Sequence, residues 1–394
     1  MPEKPKISFD ILDSIRGIAA LYVAVAHCRG TLWIGGSEFL KLFPRSSWSI
    51  WDYLMFGSSM FTRLAVEFVI VFFVLSGFSI AYSLAANKSP LQFYKRRFIR
   101  IYPSYVVALI WAGLVFAITY YWHPHWYDGT YNQGAFIRTN EMKDYFHWEV
   151  ILKNLFYMPS QGFITPFWSL TYEVMFYILA PFLLRRVNLY ASVSIIFFLI
   201  NFIIPGKVES IGLPLYVYEF LFIYNIYFVI GVMLFHNYGR IVTWFRKISK
   251  RSVLTSIFVL LILMYSVNIY LQSETVYSFL IAAMLSVILI LFFLTYQLRI
   301  RWLMNIGKFS YTLYITHFAS VFLYLGVYWA IADPKVSYIL NYFIWLPAVL
   351  FCLAVAYFQY AFVEKQTKKV LGSLRLKQSR DYTSSPIKSN IGSL

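Results

Sequence analysis

The sequence predicts an all-α, polytopic integral membrane protein, a helical bundle of about ten transmembrane helices with both termini cytoplasmic. Of its 394 residues, 60% are hydrophobic and only 13% are charged, whereas water-soluble domains carry about 25% charged residues. The mean hydropathy is +0.63. Apolar stretches of about 20 residues, long enough to cross a bilayer, recur along the whole chain.

The hydropathy pattern places ten spans, and because ten is an even number, both ends of the chain lie on one side. Lys and Arg mark the cytoplasmic side of membrane proteins, and 25 of the 34 such residues fall on the side that holds the termini. The termini are therefore predicted to be cytoplasmic, in an inner membrane of the bacterial type. The predicted spans are residues 11–28, 64–84, 101–122, 167–184, 189–205, 214–235, 253–272, 277–297, 309–330 and 338–361.

The chain is predicted to hold one membrane domain, residues 8–372, followed by a polar and disordered tail at 373–394. The net charge of +17 does not indicate a nucleic-acid partner, because the basic residues alternate with the spans. Cys28 and Cys352 are far apart in sequence and each lies in or beside an apolar span. Both are predicted to be packing residues.

An arginine and a histidine stand eleven residues apart in the first span, at Arg16 and His27. At 100° per residue they lie about 20° apart around a helix and about 16 Å apart along it, so both side chains share one face. Ionisable groups inside a membrane span are costly and usually face the bundle interior or a water-filled cavity. The pair therefore predicts a functional path, with a base deep in the membrane and a cation nearer one surface.

Two acidic residues, Glu67 and Glu173, lie towards the outer ends of spans two and four. Both spans are predicted to run from outside to inside, so either carboxylate could lie at the depth of His27. A carboxylate at that depth could orient the imidazole and stabilise its cation. The sequence leaves open which of the two acids assists the histidine, and whether either one bonds a neighbouring helix end instead.

A basic cluster precedes the third span, in the stretch from Lys95 to Pro103. Arg97 and Arg100 are three residues apart, so on a helical turn they are neighbours, and guanidinium groups bind phosphate through paired hydrogen bonds. Pro103 is expected at the start of the helix, where proline is tolerated. The cluster predicts either a polyanion site or contact with anionic lipid headgroups.

The ninth span opens with polar side chains at helical spacing, which predict a face that lines a cavity. Interhelical hydrogen bonding is the alternative for each of them singly. His317, the last of them, is expected near the middle of the membrane. The four residues are Ser310, Tyr311, Tyr314 and His317.

The sequence lacks the patterns of several other kinds of site. It contains no Gly-rich phosphate loop, no serine-nucleophile elbow and no cluster with metal-ligand spacing. His123 and His125 form a His-x-His pair, which is too few ligands for a structural zinc site. We therefore expect no metal.

Four ordered blocks resemble the membrane-bound acyltransferase-3 family of O-acyltransferases, and the resemblance covers residues 8–372. Two positions depart from the family pattern: Ile70 stands where an acid is common, and Gln366 stands where proline is common. The terminal stretch Phe362-Val-Glu364 also fits the family. The blocks are Leu12-Asp-Ser-Ile-Arg16 with His27, Phe72-Phe-Val-Leu-Ser-Gly-Phe78 with Arg97 and Arg100, Phe167-Trp-Ser-Leu-Thr-Tyr-Glu173, and Gly307 with Ser310, Tyr311 and His317.

The resemblance implies an enzyme that moves acyl groups, often acetyl, from cytoplasmic acyl-CoA to hydroxyls of cell-surface glycans or lipid-linked sugars. It implies that His27 is catalytic and that Arg16, Arg97 and Arg100 are required, and we assign these arginines to binding of acyl-CoA. The residues expected to contact substrate are Trp168, Tyr311 and His317.

Two classes of function therefore compete. In an acyltransferase, His27 would deprotonate an acceptor hydroxyl, and both direct transfer and a transient acyl-histidine are open. Its partners would be acyl-CoA, the sugar acceptor and membrane lipids, without nucleic acid. The alternative is a proton-coupled transporter of a sugar or small molecule, for which inverted repeats with paired broken helices would be evidence. The sequence shows no such pairing.

Overall fold

The chain folds into a bundle of long helices joined by shorter ones, with no β-strand among the described residues. This computed structural model describes residues 9–33, 36–86, 89–130, 143–159, 164–204, 212–271, 275–332 and 342–372. The predicted all-α class is confirmed. The predicted tail at 373–394 lies outside the described residues.

The helices are labelled here in chain order, and those longer than fifteen residues form the body of the bundle. They are α1 (Phe9–Leu32), α2 (Gly36–Leu42), α3 (Ile50–Met60), α4 (Ala65–Ala86), α5 (Pro90–Trp122), α6 (Trp148–Leu155), α7 (Trp168–Leu183), α8 (Val187–Ile203), α9 (Leu215–His236), α10 (Tyr238–Phe245), α11 (Lys250–Leu271), α12 (Val276–Thr295), α13 (Arg301–Lys308), α14 (Ser310–Ala332) and α15 (Tyr342–Gly372).

Nine helical stretches in the described part of the chain are long and apolar enough to cross a membrane, against ten predicted spans. The difference arises at Thr165–Ile203, a single stretch of 39 residues that holds two predicted spans. A straight helix of that length would extend about 58 Å, roughly twice the thickness of the hydrocarbon core. The stretch instead comprises α7 and α8, joined by a 3-10 turn at Leu184–Arg186.

The contacts of α7 and α8 show that the chain reverses at this turn. Tyr172, near the start of α7, donates a hydrogen bond to Glu219. Asn201, near the end of α8, accepts one from Tyr218. Because both outer ends of the pair meet the start of α9, α7 and α8 are antiparallel. The stretch therefore runs along the bundle and back, as two consecutive predicted spans would.

Helix α1 lies inside the bundle, against α4, α13, α14 and α15. Where it crosses α13, glycines of both helices meet the backbone of the other. A Cβ on Gly17 would press on the carbonyl oxygen of Leu303, and one on Gly307 would press on that of Asp13. Small residues allow two helix backbones to approach this closely. Because Asp13 and Gly17 flank Arg16 along α1, the crossing fixes the position of that side chain.

Helices α4 and α9 cross in the same manner. A Cβ on Gly77 would press on the carbonyl oxygen of Phe228, and one on Gly231 would press on that of Val74. The two backbones are therefore held in direct contact. This crossing fixes the rotation of α4 about its own axis. It therefore also determines which side chains of α4 point away from α9.

The end of α15 is tied to the start of α14 by a buried glutamate. A π-helical turn at Tyr360–Glu364 brings Glu364 inwards, where it is only 2% exposed. Its carboxylate accepts a hydrogen bond of 2.5 Å from the Thr312 hydroxyl and lies 2.7 Å from Lys368 Nζ. Lys368 Nζ also donates to the carbonyl oxygen of Lys308. The stretch Phe362-Val-Glu364 therefore joins the last helix to the bundle through Glu364.

We expect Glu364→Leu to lower the free energy of unfolding by about 1–3 kcal/mol, because it leaves the buried Thr312 hydroxyl without its acceptor. Glu364→Gln keeps an accepting oxygen and should cost less. Thermal unfolding in detergent measures both variants, with Glu149→Gln at an exposed site on α6 as the control. Unfolding of Glu364→Leu at the temperature of the unaltered protein would contradict this role.

Candidate functional site

A cavity of about 100 Å³ lies between α1, α4, α5, α7 and α14. It sits towards the end of the bundle where α1, α5 and α14 begin, which we call the basic end. Apolar side chains, mostly from α4, complete its wall. The polar residues on its wall are Arg16, Ser76, Ser79, Arg97, Arg100, Ser169, Glu173, Tyr177, Ser310, Tyr311 and Tyr314.

Arg16 reaches this cavity from α1 and is held by two neighbours. Its Nη1 lies 2.7 Å from a carboxylate oxygen of Asp13, one turn earlier on the same helix. Its Nη2 donates a hydrogen bond of 2.9 Å to the Ser79 hydroxyl of α4. The guanidinium is therefore held between two helices on the wall of the cavity. The predicted path from Arg16 to His27 stays a prediction.

The helix that carries the other two arginines begins earlier than predicted. Pro103 was expected to start it, but α5 begins at Pro90, and Pro103 lies inside the helix. The Ser89 side chain caps the first turn by accepting from the backbone N–H of Gln92, at 3.4 Å. Proline inside a membrane helix is tolerated because neighbouring groups satisfy the freed backbone carbonyl. The earlier start places the whole basic cluster on this helix, in agreement with the helical turn predicted for Arg97 and Arg100.

Arg97 and Arg100 lie on the wall of the cavity, one turn apart on α5. The Arg97 guanidinium packs over two aromatic rings, at 5.4 Å from the Phe93 centroid and 5.2 Å from the Tyr177 centroid. Stacking on aromatic faces orients a guanidinium and keeps its edge available. Together with Arg16, the structure brings all three predicted arginines to one cavity.

Glu173 lies on the wall of the same cavity, near the arginines. Its Oε1 accepts hydrogen bonds from the hydroxyls of Ser76, at 3.1 Å, and Tyr177. Because Tyr177 also contacts Arg97, the carboxylate belongs to the polar network at the basic end. The predicted orientation of His27 by Glu173 stays a prediction.

Glu67 lies in a different place, between α4, α11 and α12. It is fully buried, and its Oε1 accepts a hydrogen bond of 3.0 Å from Asn268 Nδ2. This contact matches the predicted alternative, in which the acid bonds a neighbouring helix. A role for Glu67 at His27 stays a prediction.

The predicted catalytic ring contacts another histidine. His27 Nδ1 lies 2.9 Å from His317 Nε2. On the other side of that second ring, His317 Nδ1 lies 3.1 Å from the carbonyl oxygen of Leu313. The His27 ring is partly exposed and meets the edge of Phe318. The structure thus joins two histidines that are 290 residues apart in sequence.

Two thiols lie directly behind the histidine pair. Cys28 Sγ is 3.7 Å from Cys352 Sγ, and Cys352 Sγ is 3.5 Å from the carbonyl oxygen of His317. Both cysteines are free and buried. They pack α1, α14 and α15 together around the pair.

Tyr314 separates the cavity from the histidine pair. Its ring lies on the cavity wall, and its centroid is 5.9 Å from that of His317, one turn further along α14. Its hydroxyl is 2.7 Å from both the Ser169 hydroxyl and the carbonyl oxygen of Pro166. Of the described residues on the cavity wall, none is His27. The cavity therefore ends one helical turn short of the pair.

The acyltransferase-3 family, described as an acyltransferase domain, matches residues 9–363. The chain belongs to this family. Membership of this family supports an acyltransferase over the transporter alternative. The match includes α1 with the Arg16 and His27 pair, the arginines of α5 and the opening of α14.

Two relatives match parts of this chain. Acyltransferase MdmB of Streptomyces mycarofaciens is 31% identical over 136 residues, which are 32% of this chain and 30% of that protein. Protein 2 in picA locus of Rhizobium radiobacter is 32% identical over 125 residues, which are 30% of this chain and 52% of that protein. The matched region thus covers no more than about half of either relative. No solved structure matches the chain.

The three residues expected to contact substrate in this acyltransferase lie in different surroundings. Tyr311 lines the cavity, and its hydroxyl donates to the carbonyl oxygen of Ile101, at 3.1 Å. His317 contacts His27. The Trp168 ring packs against Tyr224, with centroids 5.2 Å apart, away from the cavity wall. Contact with substrate stays a prediction for all three.

Sequence reasoning missed Tyr177 and Ser79, which hold Glu173 and Arg16 in place. A local signal existed for the tyrosine, because Tyr177 is four residues after Glu173 and such pairs are neighbours on a helix. Ser79 gave no such signal, because its partner Arg16 is 63 residues away in sequence.

The chain has no group of three His, Cys, Asp or Glu side chains within its described residues that could hold a metal ion. His125 Nδ1 lies 3.0 Å from Asp128, whereas His123 Nε2 lies 2.9 Å from the carbonyl oxygen of Gly326. Hydrogen bonds from Thr130 and then from His125 lower the pKa of Asp128 to about 2. The two histidines bond different groups and do not converge on one site.

Proposed function

We propose that this acyltransferase moves an acyl group, acetyl in the simplest case, from acyl-CoA to a hydroxyl of a cell-surface glycan or lipid-linked sugar. The observation that carries the proposal is the arrangement along α1. Arg16 lines the arginine-rich cavity, and His27, eleven residues further on, contacts His317. An anionic donor would bind at the basic end, on the cytoplasmic side of an inner membrane, and react towards the other end.

The cavity has the chemistry that acyl-CoA requires. This donor combines a polyanionic nucleotide with a long, thin and nearly neutral pantetheine arm. Arg16, Arg97 and Arg100 supply guanidinium groups for the phosphates, and the apolar residues of α4 suit the arm. The phosphates then stay at the basic end and need not enter the hydrocarbon region. About 100 Å³ holds only part of such a molecule, so the cavity would take the end of the arm while the nucleotide stays at the basic end.

His27 is the general base in this proposal. Its imidazole takes the proton of the acceptor hydroxyl while the hydroxyl oxygen bonds to the carbonyl carbon of the thioester. The carbon–sulfur bond then breaks, and the imidazolium gives its proton to the departing thiolate. The products are the ester and the free thiol of CoA.

The direct test uses the purified full-length protein in lipid nanodiscs, with radiolabelled acetyl-CoA or succinyl-CoA and lipid-linked sugars extracted from bacterial membranes. Label in the sugar fraction supports the proposal. Sugar uptake into protein-containing vesicles without any acyl-CoA would favour the transporter. Label that remains on CoA with both donors and all acceptor fractions would contradict the proposed reaction.

Replacing Arg97 and Arg100 together by alanine is expected to weaken acyl-CoA binding by at least about tenfold, because each charged hydrogen bond to phosphate contributes roughly 1.5–3 kcal/mol. Isothermal titration with acetyl-CoA measures the change. The matched control replaces Arg185 and Arg186, two exposed arginines between α7 and α8 that do not line this cavity. Equal affinity of the Arg97/Arg100 variant and the unaltered protein would refute the phosphate-binding role.

A further inference from the structure

A line of contacts connects the backbone of α14 to the imidazole of His27. The carbonyl oxygen of Leu313 lies 3.1 Å from His317 Nδ1, and His317 Nε2 lies 2.9 Å from His27 Nδ1. The middle ring is fully buried, with 0% of its surface exposed. A charged imidazolium in such a place inside the membrane would be costly, so the ring of His317 is neutral.

The carbonyl group fixes the direction of each hydrogen bond in this line. A carbonyl oxygen can only accept, so the single proton of the neutral His317 ring is on Nδ1. His317 Nε2 then carries a lone pair and accepts. The donor to it is His27 Nδ1, which must therefore hold the proton of the His27 ring. The tautomer of a histidine is set in this way by the partner of its other nitrogen, and the lone pair of His27 is left on Nε2.

We propose that His317 is a positioning residue that sets the tautomer of His27, so that His27 Nε2 is the nitrogen that takes the proton from the acceptor hydroxyl. This inference rests on the proposed role of His27 as the base. His317 accepts the proton of His27 Nδ1 both before and after Nε2 is protonated. The same contact therefore stabilises the imidazolium that forms during transfer, a role that a carboxylate fills in hydrolase triads.

Loss of the acceptor would remove the contact that favours this tautomer of His27. In the second tautomer the proton is on Nε2 and the lone pair is on Nδ1, which faces α14 instead of the substrate. A ring in that form cannot accept a proton at the position where the acceptor hydroxyl reacts. Removal of the Nε2 atom of His317 should therefore lower kcat, while the arginine cavity and its affinity for acyl-CoA stay intact.

Nitrogen-15 NMR of histidine-labelled protein tests the tautomer without any acyl donor. The chain has 6 histidines, and the signals of His27 are identified by their loss in His27→Gln. At a pH where the ring is neutral, we expect a protonated, pyrrole-type signal for Nδ1 and a pyridine-type signal for Nε2. The opposite assignment would overturn the inference even if acyl transfer were demonstrated, so the two failures are distinguishable.

Two variants of similar chemistry test the consequence for the reaction. His317→Gln places an amide oxygen near the former position of Nε2, where it can accept from His27, whereas the shorter Asn side chain reaches only the former position of Nδ1. We expect kcat within about threefold of normal for His317→Gln and a loss of about 100-fold for His317→Asn, since a positioned base contributes 10²–10⁴-fold. KM for acyl-CoA should be unchanged in both variants.

The tautomer of the His27 ring in each variant completes the test. We expect the pyridine-type signal of His27 Nε2 to persist in His317→Gln and to weaken in His317→Asn, with thermal midpoints showing that both variants fold. An equal loss of kcat in both variants, with the His27 signals unaltered, would assign His317 to packing and would overturn the inference.

Discussion

His27→Ala is expected to abolish acyl transfer while the protein remains folded and inserted. The change removes the base that accepts the hydroxyl proton, and such a group contributes about 10²–10⁴-fold to the rate. Binding of acyl-CoA should be retained, because the three arginines lie on the wall of a cavity that does not include His27. Transfer of label from acetyl-CoA and titration with acetyl-CoA, measured on the same preparation, separate the two effects.

The matched control for this change is His147→Ala, at an exposed histidine that precedes α6. It should transfer acyl groups at the rate of the unaltered protein. Thermal midpoints of both variants within a few degrees of the unaltered protein would show that His27→Ala loses acyl transfer without losing its fold. Transfer by His27→Ala within about threefold of normal would exclude the histidine as the general base.

Gly307→Ala is expected to separate α1 from α13 and to cost about 1–3 kcal/mol or more of stability. Its Cβ would meet the carbonyl oxygen of Asp13, and a backbone atom cannot move aside as a flexible side chain can. The neighbouring Arg16 would shift with its helix. We therefore expect a lower thermal midpoint and, in the fraction that folds, weaker binding of acyl-CoA.

Gly30→Ala is the control for this crossing, because it lies on α1 and a Cβ there would meet no atom within 4 Å. It should unfold and bind as the unaltered protein does. Gly17 lies on α1, the other helix of the same crossing, and Gly17→Ala should reproduce the defect of Gly307→Ala. Stability equal to that of Gly30→Ala in both variants would show that the two helices can separate at little cost.

Much of the fold could be predicted from the sequence, because a span needs about 20 apolar residues and hydropathy measures that property directly. Even the turn at Leu184–Arg186 was placed between two predicted spans, although it contains neither glycine nor proline. The start of α5 was missed for a local reason. Pro103 has the sequence context of a proline in the first turn of a helix. In the structure the helix extends before it, and Pro90 is the proline of the first turn.

The arginines of the site were predictable and the partner of His27 was not. The spacing of Arg97 and Arg100 is a property of one helical turn, which the sequence contains in full. The meeting of His27 with His317 depends on how α1 and α14 are rotated against each other. Helices that are apolar on every side give no periodic signal for that rotation. Close crossings such as that at Gly17 help to fix it.

The neighbours of the two acidic residues could not be predicted from their positions along the helices. Glu67 and Glu173 were both placed near the depth of His27 by counting residues along their spans. In the structure they lie on different sides of α4, one against Asn268 and the other in the arginine cavity. Counting residues along a helix gives the position of a side chain along the axis. The residues that it contacts depend on the packing of the whole bundle.

The position of Tyr314 also bears on how the cell keeps its ion gradients. A continuous wet passage from the arginine cavity to the histidine pair would let protons leak through the bilayer and dissipate the proton-motive force. The Tyr314 ring, held by Ser169 and Pro166, lies between the cavity and His317. Insulation of the two faces of the membrane therefore requires a barrier at this ring.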